Sequence, residues 1–119
     1  MLRRMDTGDL DDAALMARVA NGDRSAFRIL VGRLHGPALG LATRVLGDRG
    51  DAEDAVQAAL VKLWTQAGRY DAARGTASSW FRRIVTNLCL DRRRSMRVVA
   101  SLDDAAEVAS LAPTPFETA

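Results

Sequence analysis

Residues 51–67 read Asp-Ala-Glu-Asp-Ala-Val-Gln-Ala-Ala-Leu-Val-Lys-Leu-Trp-Thr-Gln-Ala. Val56, Leu60, Leu63, Trp64 and Ala67 recur at three- and four-residue spacing, which gathers them on one face of an α-helix. Gln57, Val61 and Lys62 point elsewhere. Glu53 and Asp54 fall in the first turn, where the helix dipole favours negative charge. Asp48-Arg49-Gly50 just before reads as a turn, Asp51 is placed to cap the helix, and Gly68 closes it.

The segments on either side follow the same period. Upstream, a short helix is expected from Asp11 to Asn21, capped by Asp11 or Asp12, ended by Gly22, with Leu15 and Val19 inward. A longer one starts near Asp23 or Ser25 and turns Phe27, Ile29 or Leu30, Leu34, Leu41 and Val45 to the core. Gly36-Pro37 is expected to kink or break it, because Pro37 cannot donate to the Arg33 carbonyl. Downstream, residues 69–78 form a polar loop, and Thr76, Ser78 or Ser79 caps a fourth helix that runs to about Arg94 or Met96. Trp80, Phe81, Ile84, Leu88 and Asp91 share its apolar side, so Asp91 needs an arginine or a hydrogen-bond donor there. Arg83, Asn87 and Arg94 form a neighbouring polar stripe. Arg82, Thr86, Arg93 and Arg97 lie roughly opposite the core.

Composition agrees with this pattern. The chain has 119 residues, 48% hydrophobic and only 5% aromatic, with alanine and leucine prominent and no strand-like alternation. The expected fold is all-α, a compact bundle of about four helices with an irregular C-terminal linker. Residues 1–9 form a tail, 10–97 the helical domain and 98–119 an acidic linker containing Ala112-Pro113-Thr114-Pro115-Phe116. Cys89 is the single cysteine, so no intrachain disulfide forms. The start lacks the apolar core of a signal peptide, and no stretch approaches the roughly 20 apolar residues of a membrane span. A cytoplasmic protein, monomeric by default, is expected.

The net charge of +2 conceals an asymmetry. Residues 1–66 balance nine bases against nine acids, residues 67–99 carry eight arginines against Asp71 and Asp91, and residues 100–119 carry four acids and no base. A concentrated arginine block suits a polyanion such as nucleic acid, although a solvated helix face looks the same by charge alone. Catalytic patterns are weak by comparison. His35 and Cys89 are far apart in the chain, and no phosphate-binding glycine loop or metal-ligand spacing is present. Asp51, Glu53 and Asp54 are better explained by the helix terminus than by a metal. No catalytic residue, cofactor or metal is expected, and the chain is read as not an enzyme.

Three sequence pieces in order sharpen this reading. The first is Asp51-Ala52-Glu53-Asp54-x-Val56-Gln57 followed by Trp64, the second Tyr70-Asp71-x-x-Arg74-Gly75, and the third Trp80-Phe81-x-Arg83-Ile84-x-x-Asn87 with Asp91 and Arg94. Together they resemble the second conserved region of extracytoplasmic-function (ECF) sigma factors. Asp23-Arg24-Ser25-Ala26-Phe27 and Leu46-Gly47-Asp48 extend the likeness over roughly residues 10–97. The resemblance implies a domain that binds core RNA polymerase and recognises and helps melt the promoter minus-ten element, often in stress responses. It implies that Asp54, Gln57 and Val61 dock on the beta-prime clamp helices. It also implies that Arg74, Gly75, Thr76, Ser79, Arg83, Asn87, Arg92, Arg93 and Arg94 meet the non-template strand. Phosphate contacts position DNA, whereas Asn87 is suited to reading a base edge. An unstacked base needs a pocket, and strand capture needs no ATP. An anti-sigma factor is a further implied partner.

Departures concern promoter preference. Ala58 stands where many relatives have an acid, and Leu60 and Ala77 where aromatics are frequent. Trp64 and Trp80 are read as core residues more than as a partner contact or a melting wedge. The helix-turn-helix domain of a complete factor, region 4, is absent after Arg97, and truncation is the favoured explanation. The alternative is a sigma-like decoy that binds an anti-sigma factor without DNA, for which the arginine block is superfluous. A duplex-binding helix-turn-helix regulator is disfavoured because the loop before Trp80 is too long for its turn.

Overall fold

The structure is a computed structural model that describes residues 10–108, with side chains through residue 102. The 1–9 tail and the 109–119 part of the expected linker lie outside the described residues. The chain forms α1 (Asp12–Ala20), α2 (Arg24–Leu46), α3 (Arg49–Gln66) and α4 (Ala77–Val108). Two 3-10 turns, Ala67–Arg69 and Ala72–Arg74, join α3 to α4. The fold is the expected all-α bundle, in which α2, α3 and α4 pack on one another and α1 closes one end against α2.

Each helix starts on a side-chain acceptor. The carboxylates of Asp11, Asp23 and Asp48 accept from the backbone N–H of Ala14, Ala26 and Asp51 at 2.8, 3.1 and 2.8 Å. Thr76 Oγ1 accepts from the N–H of Ser79 at 3.0 Å. These bonds satisfy amides that the first helical turn leaves without partners. Asp48, not Asp51, therefore caps α3, and Arg49-Gly50 is helix where a turn was expected. Both aspartates are competent caps by local chemistry, and the first of them wins. Gly47 ends α2 at φ +73°, in the left-handed region, with its N–H donating to the Thr43 carbonyl at 2.8 Å.

The break expected at Gly36-Pro37 does not occur, and α2 runs through Pro37. Gly36 and Pro37 lie on the exposed side, while Leu34 and Ala38 are buried on either side. Continuity changes the core register. Ala26, Leu30, Leu34, Ala38, Ala42 and Leu46 are buried at strict four-residue spacing, and Leu41 and Val45 are only half-buried. A four-residue row advances roughly 40° per step around the axis, so the buried face of α2 winds from one neighbour to the next.

Eight of the twenty buried hydrophobic residues are alanines, which lets the helices approach closely. Leu15, Met16, Leu30, Val56, Leu63, Phe81, Val85 and Cys89 fill the remaining space. Arg33 Nη1 donates to the Leu10 carbonyl and to Asp12 Oδ1, both at 2.8 Å, and ties the start of α1 to α2. No helix among the described residues is long and apolar enough to cross a membrane.

Two further expectations for α4 are corrected. The helix does not end near Arg94 or Met96 but continues to Val108, leaving Met96, Val98 and Val99 exposed. Asp91 does not face the core: its side chain is 69% exposed and sits 3.7 Å from Arg94. The buried stripe is Ala77, Phe81, Val85 and Cys89, with Trp80, Ile84 and Leu88 half-buried beside it. Asp91 lies on the side of Trp80, Ile84 and Leu88 but is exposed at its level of α4, where a carboxylate keeps its water.

Candidate functional site

The segment between α3 and α4 is held by its own polar groups. The Asp71 side chain accepts from the Ala73 N–H at 2.9 Å, and its carbonyl accepts from the Arg74 N–H at 3.0 Å. The Tyr70 hydroxyl donates to the Gly75 carbonyl at 2.8 Å, and the Tyr70 ring lies 5.7 Å from that of Trp80. Ser79 Oγ donates back to the Thr76 carbonyl at 3.0 Å. Gly75 has φ +150°, which L side chains rarely adopt, and a Cβ there would come within 3.2 Å of Ser79 Oγ. The conformation calls for glycine, and a Cβ would in addition crowd Ser79 Oγ.

These contacts frame a cavity of about 160 Å³ lined by Arg69, Tyr70, Asp71, Arg74, Gly75, Thr76, Ser79, Trp80 and Arg83. Its size suits one flat heterocycle more than a larger organic ligand. Of the residues expected to meet DNA, Arg74, Gly75, Thr76, Ser79 and Arg83 converge here. Asn87 and Arg94 continue along α4 from Arg83 as an exposed row, with exposed Arg93 on the adjoining face. Arg69, Tyr70, Asp71 and Trp80 were not among the expected site residues. Tyr70 and Asp71 belong to a recognised motif, and the half-buried Trp80 ring lines the cavity beside Tyr70.

Arg92 diverges from that row. It continues the core direction one turn past Leu88 and Cys89, and its guanidinium lies 3.5 Å from the Asp54 carboxylate of α3. The two side chains are 37% and 69% exposed, respectively, so water weakens the pair. Burial pushes the Cys89 thiol above its ordinary range, and the positive charge of Arg92 pulls the other way with less effect.

The second expected face lies on α3. Asp54 and Gln57 are exposed, and Val61 is 61% exposed on the same helix. Their i, i+3, i+7 spacing makes one row. Glu53 pairs with Arg49 at 3.2 Å. Trp64 is half-buried, and its ring meets Phe27 of α2 edge-on at 5.2 Å. No residue of the α3 row lines the loop cavity, so the two faces are separate surfaces.

Comparison with known proteins joins these features. The chain is 33% identical to the ECF RNA polymerase sigma factor SigK of Mycobacterium sp. (strain KMS) over 107 residues, which is 90% of this chain and 54% of that protein. It is 43% identical over 102 residues to the ECF RNA polymerase sigma factor SigM of Mycobacterium tuberculosis (strain ATCC 25618 / H37Rv), covering 82% of this chain and 50% of the relative. The chain thus spans about half the length of the curated relatives it matches. The family model for Sigma-70 region 2 matches residues 30–99, from the first third of α2 into the far half of α4. The chain therefore belongs to the Sigma-70 region 2 family.

Proposed function

We propose that this chain acts in transcription initiation, binding core RNA polymerase through α3 and capturing the non-template strand of the minus-ten element through the 70–79 loop and α4. The observation that carries the reading is the convergence of Arg74, Gly75, Thr76, Ser79 and Arg83 on one nucleobase-sized cavity. A base taken from the stack needs such a receptacle, with edges offered by backbone and hydroxyl groups and a ring to lie against. Tyr70 and Trp80 supply the ring surface, and Thr76 and Ser79 the hydroxyls.

Arg83 and Arg94 hold phosphates on either side of Asn87, which reads a base edge, and Arg93 adds charge from the adjoining face. Arg92, tied to Asp54 in the free chain, contributes to the same positive block. The protein traps an unpaired strand and performs no hydrolysis. Asp54, Gln57 and Val61 face the polymerase clamp helices, and an anti-sigma factor is a second partner for an exposed surface of this kind.

Fluorescence anisotropy with a labelled single-stranded minus-ten oligonucleotide tests the reading, with and without core polymerase. Binding is expected to weaken with salt, and Arg83→Glu with Arg94→Glu to reduce it at least about tenfold. An oligonucleotide that stays unbound in both settings removes the DNA role and leaves the decoy reading.

A further inference from the structure

The far end of α4, past Arg94, belongs to neither surface described above. Every residue from Ser95 to Ser101 is exposed, and the large apolar side chains among them, Met96, Val98 and Val99, are 41%, 54% and 56% exposed. Arg92, paired with Asp54 of α3, is the last half-buried position before them. The remaining helix to Val108, roughly 20 Å long, is too short to be more than marginally stable without a partner. Positions 95, 99, 102 and 106 recur at four-, three- and four-residue spacing, the seam of a two-helix coiled coil, and hold Ser95, Val99, Leu102 and Ala106. Charge is graded along the same stretch. Arg92, Arg93, Arg94 and Arg97 stand before the middle of the seam with Asp91 alone against them, and Asp103, Asp104 and Glu107 stand after it with no base. Arg92 and Arg94 already have partners in Asp54 and Asp91, which leaves Arg93 and Arg97 with no ion pair among the described residues.

We propose that the far end of α4 pairs with the same segment of a second copy of this chain, antiparallel, about a two-fold axis between Ala100 and Ser101. Two independent features select that axis. It maps the seam onto itself: Val99 comes level with Leu102 of the second copy and Ser95 with Ala106, so large residues meet large ones and small residues small ones. It also maps charge onto opposite charge. Arg97 comes level with Asp104, Arg94 with Glu107, and Arg93 lies one residue from that last match. A parallel pair would set Arg97 beside Arg97 and Asp104 beside Asp104, so the charges choose the direction of pairing. They act from the rim of the seam, where water screens them, and fix orientation and register more than affinity. Position 93 comes level with position 108, so the described helices pair without reaching either bundle. Each copy brings only Val99 and Leu102 to the seam as large residues, which makes the dimer a weak one, with a dissociation constant on the order of micromolar or above. The monomer expected by default then describes the dilute chain.

Sedimentation equilibrium of the full 119-residue chain at low salt, from about 1 to about 500 µM, tests this, with the urea midpoint as the control for folding. A monomer is expected at the dilute end and a dimer toward the concentrated end. Val99→Asp with Leu102→Asp should raise the dissociation constant about tenfold or more and leave the urea midpoint unchanged, because neither side chain belongs to the bundle core. Arg97→Glu alone should weaken the dimer several-fold by setting Glu against Asp104, and Arg97→Glu with Asp104→Arg in one chain should restore it. A chain that sediments as a monomer over the whole range overturns the inference. So does a dimer that Val99→Asp with Leu102→Asp leaves intact, since its contact lies elsewhere. Failure of the double charge exchange to restore what Arg97→Glu removes would overturn the antiparallel register.

Discussion

The loop cavity and the α3 face are built by different means. The cavity depends on backbone conformation: a glycine at φ +150°, a tyrosine hydroxyl bound to the next turn's carbonyl, and reciprocal Thr76–Ser79 bonds. The α3 face depends on helix register alone, because any straight helix presents Asp54, Gln57 and Val61 in a row. Small changes of main-chain shape should therefore ruin the first and spare the second. Changes of surface charge should act on each face separately.

The largest effect should come from the support both faces share. Phe81 is the largest fully buried side chain α4 sends into the core, and Phe81→Ala should lower stability by about 3–5 kcal/mol. Urea unfolding checks this, and a stability loss under about 1 kcal/mol would mean that the faces do not rest on one core. Gly75→Ala should break the symmetry next. Its strained backbone, worth about 1–3 kcal/mol, and the 3.2 Å approach to Ser79 Oγ should distort the cavity. Oligonucleotide binding should fall several-fold while core binding is unchanged, and equal losses of both would contradict the division drawn above.

The Asp54–Arg92 pair is where the two faces touch electrostatically. A double-mutant cycle with Asp54→Ala and Arg92→Ala should give a stability coupling under about 1 kcal/mol, since both groups keep much of their water. A coupling several times larger would mean that the faces are not independent. The smallest effect should be at Cys89. Burial holds its folded-state pKa above the unfolded value. The contribution is fully present below the unfolded pKa and is lost as pH rises through the folded one, because the unfolded chain releases the proton first. Urea midpoints across the alkaline range should decline more for the parent than for Cys89→Ala, and parallel declines would remove the thiol from the account.

Much of this was legible residue by residue. Asp11, Asp23 and Thr76 cap helices because a short polar side chain before an apolar run has few better uses. Gly75 stands in a motif, and its backbone explains why. Elsewhere local rules met competition. Asp48 and Asp51 are equally good caps on paper, and Pro37 is a helix breaker by local rules, yet α2 continues through it with Ala38 and Ala42 buried beyond. Asp91 shares a helix side with the half-buried Trp80, Ile84 and Leu88, and only the packing at its level of α4 leaves that side open to water. Arg74, Gly75, Thr76, Ser79 and Arg83 of the cavity were in view, whereas Trp80, read as core, shares its lining with Tyr70.

Helix period, caps, the arginine block and the three spaced motifs are properties of neighbours along the chain, and the amino-acid order alone determined them. The pairing of Arg92 with Asp54, the edge-to-face contact of Phe27 with Trp64, and the unbroken course of α2 belong to the tertiary structure. Each joins or balances groups distant in the chain. Their geometry is set by how the helices pack, a competition among many weak contacts that no single segment records.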